Sequence, residues 1–262
     1  METKSIIYEK KEGVARIILN RPDQLNAINL ELLQEIEKAF EDIESDQTVK
    51  AVLISAKGRA FCAGADLKFM KGLLDSPAKT EAFLRFLRKT FNDIEGCSKP
   101  VVTAVHGMAL AGGLELIMVS DLAIASEDAR IGDQHANFGL IPGGGATQRL
   151  PRIVGLRKAK EIILTGEWLS AREAEKLGLI NKVVPADQLE KEALAVVAKV
   201  IENKSPLAAK GIKALTNATR ELGLQTGLEM ELQVWLSYFR SEDFAEGLKA
   251  FEERRTPAFK GR

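Results

Sequence analysis

Residues 105–125 read VHGMALAGGLELIMVSDLAIA. The stretch is almost wholly apolar and small, yet one carboxylate, Glu115, stands directly behind the pair Gly112-Gly113. Just upstream, PVVTAV (100–105) is a β-branched run without polar alternation, which reads as a strand covered on both faces. The apolar segment beyond it reads as a buried helix beginning near Gly112. The first N–H groups of such a helix have no intrahelical partner and carry the positive end of its dipole. Small residues let a ligand come close to them. Two readings fit Glu115: an acid that complements the helix dipole, or a general acid/base.

The same pattern extends outward. VARIIL (14–19) and VKAVLIS (49–55) read as two more covered strands. Leu30, Leu33, Ile36, Phe40 and Ile43 recur at helical spacing, as do Phe83, Phe86, Leu87, Phe91 and Ile94. Alternating strands and helices predict an α/β layer fold with parallel crossovers. After about residue 185 the segments are helical in succession, with Asp187, Ser205 and Ser241 as candidate caps. The expected division is an α/β core over 1–185 and a helical C-terminal region over 186–262. KFMKGLLDSPAKT (68–80) is a candidate mobile lid.

Small-residue clusters interrupt the core at 58–70, at 105–125 and at 138–150, and the first two follow predicted strand ends, where open parallel sheets bind ligands. A helix N–H at Gly112 with a second from the Cys62–Asp66 segment would make a two-donor oxyanion hole, worth about 3–4 kcal/mol per donor. Standard motifs fail. Gly107 and Gly112 have P-loop spacing, but Gly113 and Leu114 stand where Lys and Ser/Thr are required. There is no G-x-G-x-x-G around Gly143–Gly145, no G-x-S-x-G and no H-E-x-x-H. The chain has 2 His and 2 Cys, so no metal site is expected.

Lys+Arg and Asp+Glu both number 37 of 262 residues, giving no net field to draw nucleic acid or an anionic membrane. Cys62 and Cys97 make no disulfide framework, the N-terminus METKSIIYEKKEG lacks a signal-peptide apolar region, and no apolar run is long enough to span a bilayer. A cytoplasmic protein is the expectation.

NRPDQLNAI (20–28), FCAGADLKFM (61–70), HGMALAGGLELIMVSDLAIAS (106–126), GLIPGGGATQRLPRIVG (139–155) and LTGEWLSAREAEKLGLINKVV (164–184) together resemble the crotonase superfamily, the enoyl-CoA hydratase/isomerase family, in order and over nearly the whole chain. The resemblance implies a spiral of repeated ββα units and C-terminal helices that build a homotrimer or a hexamer (dimer of trimers). It implies an acyl-CoA thioester substrate, with coenzyme A part of that substrate and no separate cofactor. Ala65 and Gly112 match the two oxyanion donors. Ala63, Asp66, Leu67 and Lys68 would line the CoA path, and Phe259 and Lys260 would meet CoA bound to a neighbouring subunit. Glu115 matches the first hydratase glutamate. The second lies in a QPE stretch, and counting back from Ile141-Pro142-Gly143 through GDQHANFGLIPG puts His135 there.

The implied activity is hydration of a 2-enoyl-CoA to a 3-hydroxyacyl-CoA. His135 keeps two alternatives open, a double-bond isomerase and an acyl-CoA hydrolase or decarboxylase; a reading from another class is a non-catalytic CoA- or RNA-binding member. His135 itself reads as acid/base, pocket wall or hydrogen-bonded structural residue. Asp133 would orient it if the local backbone is extended. His106 reads as structural and Cys62 as an apolar filler.

Overall fold

The computed structural model describes residues 3–262. β1 (Ile6–Lys11) and β2 (Val14–Leu19) form an antiparallel hairpin. α1 (Leu30–Ser45) is capped by Asn29, whose side chain accepts from the Leu32 N–H, and it buries Leu33, Ile36, Phe40 and Ile43. β3 (Ala51–Ala56) then lies parallel to β2.

From β3 the chain repeats one unit: a long strand, a short strand, then helix. β3 leads to β4 (Ala60–Cys62), α2 (Leu67–Lys71) and α3 (Pro77–Gly96). β5 (Val101–Val105) leads to β6 (Met108–Leu110) and α4 (Gly112–Met118), and β7 (Leu122–Ser126) leads to β8 (Arg130–Gly132) and α5 (Ala146–Val154). α6 (Leu156–Thr165), β9 (Leu169–Ser170), α7 (Ala171–Lys176), β10 (Lys182–Val184), α8 (Leu189–Ile201), α9 (Pro206–Ala218), α10 (Leu224–Phe239) and α11 (Glu242–Glu253) follow. Long strands form a six-stranded sheet, β1-β2-β3-β5-β7-β10, and short ones a four-stranded sheet, β4-β6-β8-β9. This is the ββα repeat that the resemblance implies.

The unalternating strands are covered on both faces, as their composition predicts. Val52, Ile54, Val101 and Val105 point into the main core with α1, α3 and α4. Ala51, Leu53, Val102 and Ala104 point the other way, onto Leu189, Ala193 and Val197 of α8. Thus α8, first of the C-terminal helices, covers the outer face of the main sheet.

Ser205 and Ser241 cap α9 and α11, accepting from the Ala208 and Phe244 N–H groups. Asp187 does not cap: it lies inside a 3-10 turn, and Gln188 precedes α8 without a side-chain cap bond. The 68–80 segment holds most of α2 and the first turn of α3, which Asp66 and Ser76 cap. No helix among the described residues is long and apolar enough to cross a membrane.

Candidate active site

Two backbone segments meet at the ends of β4 and β6. After β4 the chain runs through Ala63, Gly64 and Ala65, pinned by hydrogen bonds from the Ile28 N–H to the Gly64 carbonyl (2.7 Å) and from the Asp66 N–H to the Ile28 carbonyl (2.8 Å). The Ala65 N–H between them donates to nothing among the described residues. After β6 the chain turns sharply at Ala111, a non-glycine residue at φ 49°, ψ −112°, and enters α4. Such a conformation costs of order 1–3 kcal/mol and persists only where its surroundings enforce it. It aims the first turn of α4 so that the Gly112 N–H is also unpartnered, the first helical bond being Glu115 N–H to Ala111 (3.0 Å). The segments abut closely: a Cβ on Gly64 would lie 2.8 Å from the Ala111 Cβ and 3.5 Å from the Gly112 nitrogen. Gly113 packs so tightly that a Cβ there would overlap the Cys62 carbonyl.

Glu115 is one turn into α4 and 2% exposed. Its Oε1 accepts the Gly144 N–H (2.9 Å) and the Ala146 N–H (3.0 Å). Its Oε2 has no such partner and opens to a cavity of 340 Å³. Burial pushes the carboxyl above its usual pKa, against the lowering pull of the Ala146 N–H and of His135. The missing Cβ of Gly144 is what lets its chain come so near. Arg149 of α5 holds it from behind, donating to the Gly144 carbonyl (3.0 Å) and pairing with Glu95 (2.6 Å).

His135, 8% exposed, lines the same cavity. Its Nδ1 lies 3.0 Å from both oxygens of Asp133, which is fully buried. The pairing arises differently from the extended geometry expected. His135 has helical φ and ψ, and Asp133 reaches it through an Asx turn, accepting the His135 main-chain N–H at 3.0 Å. Burial opposes the charged ring, but the Asp133 hydrogen bond and the charges of Asp133 and Glu115 outweigh it, so the His135 pKa is raised.

The cavity is otherwise apolar, walled by Ile28, Met70, Phe83, Leu84 and Leu87. At Ala65, His135 and Leu140 it adjoins a groove of 900 Å³, lined among others by Arg21, Ala63, Asp66, Leu67 and Lys68.

A family profile described as enoyl-CoA hydratase/isomerase matches residues 9–262. The chain belongs to the enoyl-CoA hydratase/isomerase family. It is 39% identical to a protein of Rhizobium meliloti named a probable enoyl-CoA hydratase, over 262 residues that cover 100% of both chains. It is 38% identical to the short-chain-enoyl-CoA hydratase of Clostridium acetobutylicum, again with both chains fully covered. The crystal structure of an enoyl-CoA hydratase from Bacillus anthracis superposes at a TM-score of 0.93, with 36% identity, covering 98% of this chain and 100% of that one. The fold is the crotonase fold.

In this member of the enoyl-CoA hydratase/isomerase family, Ala65, Gly112, Glu115 and His135 border one cavity, and Ala63, Asp66, Leu67 and Lys68 border the adjoining groove. Asp66 has a structural task as well, capping α2 and pairing with Arg21 (2.9 Å). Phe259 and Lys260 do not reach the groove of their own chain. The Phe259 ring packs by Gly247 of α11, and the Lys260 N–H donates to Asp243 (2.7 Å). His106 bonds the Gly58 carbonyl (2.8 Å), and burial pushes the Cys62 thiol up to about 12, as befits a filler. Sequence reasoning missed that Gly144 and Ala146 are the donors to Glu115, and missed the Arg149 brace. The glycine run was visible, but not the acid it serves.

Proposed function

We propose that the chain is an enoyl-CoA hydratase, adding water across the α,β double bond of a 2-enoyl-CoA to give the 3-hydroxyacyl-CoA. The observation that carries this reading is a single cavity bordered by two unpartnered backbone N–H groups, a buried carboxyl group and an imidazole. The Ala65 and Gly112 N–H groups receive the thioester oxygen and stabilise the charge that grows on it as water attacks C3, at about 3–4 kcal/mol per donor. Glu115 and His135 move the protons, one taking a proton from water and the other supplying C2. The groove takes the CoA portion along Ala63, Asp66, Leu67 and Lys68, and the tail residues Phe259 and Lys260 reach the CoA of a neighbouring copy. Coenzyme A is part of the substrate, and acid/base chemistry of this kind uses no further cofactor.

Copies associate as a trimer or a dimer of trimers through α10. That helix has no buried residue, and Leu224, Leu228, Leu232, Trp235, Leu236 and Phe239 all stand exposed on it. Two free, buried cysteines support a cytoplasmic setting.

A second reading draws on His135 in place of a glutamate. Isomerisation of a double bond needs one group to shuttle a proton between C2 and C4, and Glu115 alone can do that. Both readings are tested by turnover of a panel of 2-enoyl-CoAs followed by absorbance and mass. Hydration removes the enoyl absorbance and adds one water; unchanged absorbance and mass at every chain length overturn it. His135→Gln leaves an isomerase nearly untouched and costs a hydratase about 10²–10⁴-fold in kcat.

A further inference from the structure

The chain has two histidines, and among the described residues only His135 meets a carboxylate; His106 bonds a carbonyl. Asp133 offers its buried carboxylate to both the main-chain N–H and the Nδ1 of His135. An ionised carboxylate has only lone pairs to give, so Nδ1 carries the hydrogen. Nε2 makes no hydrogen bond among the described residues and is not among the sealed polar atoms, and His135 borders both the cavity that Glu115 shares and the adjoining groove.

We infer that Asp133 is a positioning residue of the reaction: it holds His135 as the Nδ1–H tautomer, so that Nε2 is the atom that takes the proton of the attacking water. The inference rests on the hydration reading above. A water O–H bond breaks, its proton passes to Nε2 and its oxygen bonds to C3. The C2=C3 electron pair moves onto the thioester oxygen as an enolate. As the enolate collapses, Glu115 in its carboxylic form delivers a proton to C2. Glu115 is then a carboxylate and His135 an imidazolium, and one proton passed between them through water restores the start. The pair has the same total charge before and after, and Asp133 compensates the imidazolium. Burial raises the pKa of Glu115, and at His135 burial is outweighed by the hydrogen bond and charge of Asp133, which raise it. The other ionisable groups facing the pair are Arg149 from α5, whose charge couples to Glu115, and the Cys62 thiol at the end of β4.

Full-length protein labelled with ¹⁵N-histidine gives two ring systems, which a His106→Gln variant assigns. Above its pKa, His135 is expected as the Nδ1–H tautomer. In Asp133→Asn the amide can donate to Nδ1, which favours the Nε2–H form. We expect kcat to fall about 10²–10⁴-fold with KM within about threefold, and the acid limb of the kcat profile to move to lower pH. In a His135→Gln background the same substitution should cost nothing further. An Nε2–H ring in the unsubstituted protein, or Asp133→Asn with full kcat and an unmoved limb, overturns the role of Asp133. Absence of turnover with the Nδ1–H ring retained overturns the hydration reading instead, and with it the reaction role. If Asp133→Asn does not fold, the ring spectrum of the unsubstituted protein decides.

Discussion

Glu115 is held by opposed forces, and that makes its substitution informative twice over. In Glu115→Gln the amide oxygen keeps the Gly144 and Ala146 hydrogen bonds but loses the exchangeable proton, so kcat should fall about 10²–10⁴-fold while the fold survives. Stability should move the other way. A carboxyl whose pKa is raised by folding contributes stability below its unfolded value and loses it as pH rises through the folded value. Glu115→Gln should therefore melt above the unsubstituted protein near about pH 8, with the gap closing towards about pH 3, where the carboxyl is neutral in both states. A thermal scan across pH checks this. His135 was legible as a candidate through the family resemblance, by counting back from Ile141-Pro142-Gly143. Its pairing with Asp133 was legible too, although the Asx turn that makes it was not, because a turn of that kind leaves no periodicity.

At the scale of elements, the site depends on how closely helices approach strands. A Cβ on Gly144 would lie 2.5 Å from the Glu115 Oε2 and 2.8 Å from Phe91. Gly144→Ala should displace the carboxyl and lower kcat more than about tenfold, at a stability cost of about 1–3 kcal/mol. Gly113→Ala sets a methyl group against a backbone carbonyl rather than a side chain. Little can give there, so urea unfolding should show a loss of about 1–3 kcal/mol or more. Long strands and amphipathic helices such as β3 and α1 were readable because several apolar residues repeat. β4, β6, β8 and β9 have only two or three residues each, too few for a pattern. They belong to the second sheet, and two of them carry the segments that end at Ala65 and Gly112.

Across the whole molecule, the helices after β10 divide their tasks. α8 seals the main sheet, whereas α10 presents an apolar row to solvent. Changing Leu228 and Leu232 together to lysine should shift the protein from an oligomer to a monomer in light scattering; an unchanged mass would remove α10 from the interface. The tail is tied to Asp243, which accepts from the Lys260 and Gly261 N–H groups and from Ser205. What the sequence by itself determined is the layered α/β class and the helix start near Gly112 with Glu115 just behind it, because these follow from local spacing and from chemistry carried by single residues; Ala65 and His135 were singled out by the family resemblance. Tertiary structure alone decided which backbone donors hold Glu115, which face α8 covers and where the tail lies. Those contacts join residues tens of positions apart, and their geometry depends on how whole layers pack, not on any local pattern.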